Sequence, residues 1–121
     1  MNVLVVHANF AVGAAVAQRL IDFAVVHLVS CNHAPDETTR YDVVVLCPYL
    51  TGEEKESLRT HFRRRTPPPA VIEIRDTQSG PRLDVAQVGA QSTESIDAIL
   101  GALAMGSTGT AGDVLGNVET V

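Results

Sequence analysis

Apolar residues occur along the chain in short continuous runs whose length is typical of strands and well below that of a membrane span. Five runs predict β-strands at residues 1–6, 23–30, 41–47, 71–74 and 83–88. The run at 41–47, YDVVVLC, contains three consecutive valines, which favour a strand that is covered on both faces. We therefore expect this strand at the centre of a sheet.

Three segments between or after these runs have apolar residues at helical spacing. Helices are predicted at residues 10–22, at 51–65 and after Ser92 or Thr93. Asn9 is a suitable N-cap for the first, and Thr51 with Glu54 forms a capping box at the start of the second. The third carries four apolar residues on one face, namely Ile96, Ile99, Leu100 and Leu103.

Strands that alternate with helices in this way predict an α/β fold of the doubly wound, flavodoxin-like type. We expect a five-stranded parallel sheet in the order 2-1-3-4-5, with helices on both faces. Residues 31–40 are polar and short, so the second helix of such a fold is expected to be short or missing. The chain length predicts one domain over residues 1–105, followed by a flexible Gly/Thr/Ser-rich tail at 106–121.

Composition and charge exclude several partners. The 121 residues include 9 basic and 14 acidic side chains, a formal net charge of −5, which disfavours a nucleic-acid binder. Aromatic residues make up 4% of the chain and include no Trp, so a base-stacking platform is not expected either. No membrane partner is expected. The opening residues lack a secretory-signal pattern and there are only 2 cysteines, from which we expect a cytoplasmic protein.

Common cofactor and catalytic motifs are missing from the sequence. It contains no G-x-G-x-x-G after the first strand, no phosphate-binding loop ending in G-K-[ST] and no G-x-S-x-G. Its four histidines and two cysteines have no zinc-like spacing. Glu73 is placed inside a strand and Asp76 in a turn, and neither is assigned a catalytic role. We expect no bound cofactor, no metal and no catalytic residue.

Four segments together resemble the receiver domains of two-component response regulators. VLVVHANFAVGAAVAQRL is similar to the opening strand and first helix of a receiver, and YDVVVLCPYLTGEEKESLRTHFRRR to the third strand, phosphoacceptor loop and third helix. AVIEIRD and the stretch from Leu83 through TESIDAILGAL are similar to the last two strand-helix units. The resemblance covers residues 1–104 and implies a domain that works in phosphorelay signalling.

The positions that carry receiver chemistry hold other residues here. The acidic pair that ends strand one falls on His7 and Ala8, and the phosphoacceptor aspartate falls on Cys47. The Ser or Thr that ends strand four falls on Arg75, and the lysine that ends strand five falls on Gly89 or its neighbour. Without these carboxylates there is no acceptor and no hard-oxygen Mg²⁺ site. A relative with these residues is expected not to run the aspartyl-phosphate switch.

The leading hypothesis is therefore a non-phosphorylatable receiver-like domain that binds another signalling protein or a second copy of itself. By resemblance, its contact face would lie on the last strand and helix, around Leu83, Val85, Ile96 and Leu100.

The alternative is a flavodoxin-like enzyme or redox sensor that uses Cys47 beside His7, two residues expected to be neighbours because strands one and three pair directly. A binder of flavin mononucleotide or another nucleotide is a third hypothesis.

Overall fold

A computed structural model of the chain describes residues 1–22, 24–33, 38–77, 80–87, 89 and 93–108. Its strands are β1 (Asn2–His7), β2 (Val25–Ser30), β3 (Val43–Leu46), β4 (Ala70–Thr77) and β5 (Gly80–Gln87), and its helices are α1 (Phe10–Gln18), α2 (Gly52–Arg63) and α3 (Thr93–Thr108). Each corresponds to a predicted element. α3 includes the first three residues of the predicted tail, and residues 109–121 lie outside the described residues.

The strands form one sheet in the order β2-β1-β3-β4-β5, the strand order expected from the sequence. β1 pairs in parallel with both β2 and β3, and β3 pairs in parallel with β4. The three-valine strand β3 is the middle strand, and all four of its residues are buried. The apolar run that predicted a central strand therefore forms the middle strand of the sheet.

The prediction of an all-parallel sheet is wrong at its last strand, because β5 runs antiparallel to β4. The two strands form a hairpin in which Thr77 pairs with Gly80. The segments predicted as strands four and five leave only residues 75–82 between them, whereas a parallel crossover needs about a dozen residues or more. The connection is too short to return the chain to the amino end of β4, so the chain reverses direction instead.

Helices cover both faces of the sheet, as predicted. Val16 of α1 and three residues of α3, Ile96, Ile99 and Leu103, pack with one face in a single buried cluster, which also includes Leu20, just after α1. Leu58 and Phe62 of α2 pack with the opposite face in a second cluster. The described residues between β2 and β3 contain no helix, which agrees with a short or missing second helix.

Local polar contacts set where the first two helices begin. Asn9 Oδ1 accepts the Ala11 N–H at 2.9 Å and caps α1. At α2, Thr51 Oγ1 accepts the Glu54 N–H at 3.1 Å, and Glu54 Oε1 accepts the Thr51 N–H at 2.8 Å. This reciprocal pair is the predicted capping box. In the part of the chain that the structure describes, no helix is long and apolar enough to cross a membrane.

Candidate functional site at the carboxyl edge of the sheet

The carboxyl ends of the parallel strands β1, β3 and β4 meet at one edge of the sheet. β1 leads into Ala8 and Asn9, and β3 leads into Pro48 and Tyr49. β2 and β3 lie on opposite sides of β1, so the strand order reverses at β1. In α/β sheets, crevices form at such a reversal. We therefore treat this edge as the candidate functional site.

His7 and Cys47 lie next to each other at this edge, as the sequence predicts. Val6 pairs with Leu46, so the residues that follow them are level in the two strands. Cys47 is completely buried and His7 is 8% exposed. The His7 ring makes an edge contact with Phe10 at a centroid distance of 5.7 Å, and its Nδ1 has no hydrogen-bond partner among the described residues. The pair is packed inside the protein.

Burial also controls the chemistry of Cys47. Desolvation raises the pKa of its thiol to about 12. Reactive cysteines instead have a lowered pKa, because the thiolate is the nucleophile. The environment of Cys47 therefore keeps the thiol protonated at neutral pH, which opposes the thiol chemistry considered for this residue.

Two positions predicted to join this site do not lie beside His7 and Cys47. Ile74 packs in the same cluster as Cys47, and side chains alternate along a strand, so Arg75 points to the opposite face. There its Nε contacts Asp84 Oδ2 at 3.0 Å. Gly89 follows the reversed strand β5 and lies against Pro69, just before β4, at the amino ends of the parallel strands. Of the five predicted positions, only His7, Cys47 and the exposed Ala8 lie together at the ends of β1 and β3.

The face expected to bind a partner is largely part of the core. Ile96 is 6% exposed in the cluster shared by α1 and α3, and Leu83 and Leu100 are partly buried against that cluster. Val85 is the exposed member of the set, at 40%. Three of the four predicted contact residues thus stabilise the fold and offer little apolar surface to a partner.

A cleft opens at the carboxyl edge between α1 and the loop after β3. It has a volume of about 380 Å³ and is lined by Ala11, Val12, Ala15, Val16, Arg19, Pro48, Tyr49, Ile74 and Asp76. The α1 residues form one stripe of the helix, three or four positions apart. An adjoining hollow of about 350 Å³ shares Tyr49 and Asp76 and adds Lys55 and Arg75.

Tyr49 and Asp76 form the polar wall between these two spaces. The Tyr49 hydroxyl donates to Asp76 Oδ2 at 2.6 Å, and this hydrogen bond to a carboxylate raises the pKa of Tyr49. Tyr49 is 65% exposed and has a φ of 77°, a region that residues other than glycine seldom adopt. The loop therefore holds Tyr49 in an uncommon backbone conformation, with its ring exposed at the mouth of the cleft.

Arg19 supplies positive charge at the other side of the cleft. It follows the last turn of α1, and desolvation lowers its pKa. No ion pair of Arg19 occurs among the described residues. The cleft therefore combines a small-residue apolar floor, a partly buried cation and a carboxylate that is already hydrogen-bonded.

The sequence contains two signals for this cleft that lie outside the strand ends. Ala11 and Ala15 lie on the same helix face as Arg19, and small residues in a stripe leave room above a helix. Tyr49 directly follows Pro48 at the end of the central strand, where an aromatic residue in a turn is exposed to solvent. In the part of the chain that the structure describes, no group of three or more His, Cys, Asp or Glu residues is arranged to hold a metal ion.

Comparisons of the chain with protein-family models, with curated proteins and with solved structures found no match. The fold and the site define an α/β domain with a mostly parallel five-stranded sheet and a cleft at its carboxyl edge.

Proposed function

We propose that this chain is a receiver-like interaction domain of a phosphorelay that binds another protein and does not carry an aspartyl phosphate. The strand order supports the receiver-like part, as does the division of helices, with the first and last on one face and the helix after β3 on the other. The cleft at the carboxyl edge lies where open α/β sheets bind their ligands.

The observation that carries the proposal is the environment of Cys47. It occupies the acceptor position of the resemblance, yet it is fully buried and its pKa is raised to about 12. The neighbouring positions His7 and Ala8 offer no carboxylate for Mg²⁺. The reversed β5 also takes Gly89, the position of the receiver lysine, away from this edge. Acceptor, metal ligands and lysine are all replaced.

The direct test is incubation with acetyl phosphate and Mg²⁺, followed by intact-protein mass spectrometry. We expect no phosphate adduct on the chain under conditions that label a phosphorylatable receiver in a parallel reaction. An adduct on the wild-type protein that disappears in Cys47→Ala would overturn the proposal.

A second arm tests the receiver-like geometry itself. The triple variant His7→Asp, Ala8→Asp and Cys47→Asp places three carboxylates at the carboxyl edge, where they can coordinate Mg²⁺. We expect its melting temperature to rise on addition of Mg²⁺, while the wild-type protein shows no such rise. A variant that folds, as judged by circular dichroism, but does not respond to Mg²⁺ would contradict the receiver-like arrangement.

A further inference from the structure

The two edges of the sheet differ in how they are protected against pairing with another strand. β5, at one edge, carries Pro81, Arg82 and Asp84, and proline and charged residues discourage edge-to-edge association. β2, at the other edge, has the sequence VVHLVS, with neither proline nor a Lys, Arg, Asp or Glu residue. It pairs with β1 through six consecutive residues without a bulge. β2 is therefore a regular and uncharged edge.

The main chain of β2 alternates between its partner strand and the open edge. The Val25 N–H donates to the carbonyl of Met1, just before β1, at 2.9 Å, and the Cys31 N–H donates to the carbonyl of His7 at 2.8 Å. In a parallel pair the N–H and C=O of one residue point to the same side, and successive residues point to opposite sides. Val26, Leu28 and Ser30 therefore direct both groups away from β1. No described residue pairs with them as a strand, although the Ser30 carbonyl accepts the His33 N–H at 3.0 Å.

Apolar side chains flank this open edge on both faces of the sheet. Val25 is 58% exposed and Leu28 is 40% exposed. Val25 lies on the α2 face, where the residues between β2 and β3 that the structure describes form no helix, and Leu28 lies on the α1 face. A strand added at this edge would cover both side chains and satisfy the outward main-chain groups of Val26 and Leu28.

We propose that the occupant of this edge is a second copy of the chain, joined by antiparallel pairing of β2 with β2 across a two-fold axis. Charge does not oppose this occupant at the edge itself. The chain carries a net charge of −5, but residues 24–33 contain no Asp, Glu, Lys or Arg, so two copies meet here without opposing like charges. The proposal gives the interaction domain one defined partner and rests on the proposed function only in that respect.

Symmetry and side-chain chemistry select one register. An axis perpendicular to the sheet at His27 places Val26 opposite Leu28 twice, and both residues direct their main-chain groups outward. The two pairs then form four main-chain hydrogen bonds. Val25 and Val29 face each other on either side of this centre, so each apolar residue meets another apolar residue. Moving the axis to Leu28 would place Val26 opposite Ser30 and Val25 opposite Cys31.

The primary experiment is sedimentation velocity of the full chain over a range of concentrations. A single ladder of this length is smaller than a standard protein interface, so we expect a reversible dimer with a dissociation constant in the micromolar range. Leu28→Pro removes one outward N–H and leaves the bonds to β1 in place, and it should weaken the dimer at least tenfold. Leu28→Ala keeps the N–H and should weaken it less.

Two further variants make the outcome decisive. Leu28→Lys places a charge at the edge without altering the main chain, and it should abolish the dimer. This variant tests the proposal even if Leu28→Pro fails to fold. In a Cys31→Ala, Cys47→Ala background, His27→Cys should form an intermolecular disulfide when dissolved oxygen with copper phenanthroline oxidises the thiols, because opposed residues in an antiparallel pair lie within disulfide reach. Residue 25 is more exposed but lies opposite Val29 of the second copy. Val25→Cys should therefore remain unlinked.

A chain that stays monomeric to millimolar concentration would overturn the proposal. So would a dimer that is insensitive to both Leu28→Pro and Leu28→Lys, since it would use another surface, and so would faster disulfide formation at Val25→Cys than at His27→Cys. None of these results bears on the acetyl phosphate test. Failure of the dimer and failure of the proposed function are therefore distinguishable.

Discussion

At the scale of single residues, Gly13 determines how closely α1 approaches β1. A Cβ atom at this position would lie 2.8 Å from Cβ, Cγ and Cδ2 of His7, a distance well inside van der Waals contact. His7 is held on a central strand and cannot move away without disturbing the sheet. The absence of a side chain at Gly13 is thus a packing requirement, although glycine lowers the intrinsic stability of a helix.

We expect Gly13→Ala to lower the free energy of unfolding by about 1–2 kcal/mol, because the overpacking exceeds the gain in helix propensity. Gly101 is the matched control, since it is an exposed glycine within α3 and a Cβ there meets nothing within 4 Å. Gly101→Ala should raise the free energy of unfolding by up to about 1 kcal/mol. Urea denaturation measures both, and shifts in the same direction would contradict the packing argument.

Cys47 predicts a pH dependence at the alkaline side. The pKa of a solvent-exposed cysteine thiol is near 9.0, and burial raises the pKa of Cys47 to about 12 in the folded chain. Above pH 9 the unfolded chain loses this proton while the folded chain keeps it, so stability falls as the pH rises from about 9 to about 12. The slope from this group approaches about 1.4 kcal/mol per pH unit, the free energy of one pKa unit.

Denaturation at several pH values should show that Cys47→Ala removes this part of the slope, whereas Cys31→Ala, nearer the surface, changes it less. Iodoacetamide near neutral pH should modify Cys31 before Cys47 in the folded chain. Rapid modification of Cys47 that slows in His7→Ala would instead support the redox or enzymatic hypothesis.

At the scale of elements, an ion pair joins α2 to the sheet. Glu73 on β4 is only 3% exposed, and its Oε2 accepts a hydrogen bond from Arg59 of α2, which also contacts the exposed Glu56 at 2.9 Å. Glu73 thus has a structural partner at a position where the sequence suggested only a strand residue. A buried carboxylate without such a partner would carry a large desolvation penalty.

Removing Arg59 should therefore cost more than removing its exposed partner. We expect Arg59→Ala to lower the free energy of unfolding by about 2–4 kcal/mol, because it leaves the Glu73 carboxylate buried and unpaired. Glu56→Ala should change it much less, because an exposed helix pair contributes little to stability. Thermal and urea denaturation of the two variants check the difference, and equal effects would contradict a structural role of the buried pair.

The sequence predicted the strands and helices better than it predicted the connection between β4 and β5. β-branched runs located the strands, and Asn9 and Thr51 marked the starts of α1 and α2, because strand chemistry and capping are local. The end of α1 came early: the helix stops at Gln18, although the buried Leu20 continues its apolar periodicity. The direction of β5 depended on the length of a turn, which apolar periodicity does not measure.

At the scale of the whole molecule, the strand order was enough to predict that His7 and Cys47 are neighbours. The cleft beside them was not predicted. It arises from α1, the loop at Tyr49 and the end of β4 coming together, and no single segment carries that information. Arg75 and Gly89 were misplaced for a related reason, since the side chain of one and the location of the other depend on strand registers and directions that only the folded sheet defines.

The hairpin of β4 and β5 also changes how the loss of chain entropy is distributed as the sheet forms. The other strand pairs join residues far apart in sequence, such as Val3 with Val43, whereas Thr77 pairs with Gly80. Because loop-closure entropy grows with the logarithm of loop length, closing the hairpin costs about 2 kcal/mol less than closing the β1–β3 loop. The fifth strand is therefore added by a local contact, and the main entropic cost of the sheet falls on the parallel pairs around β3.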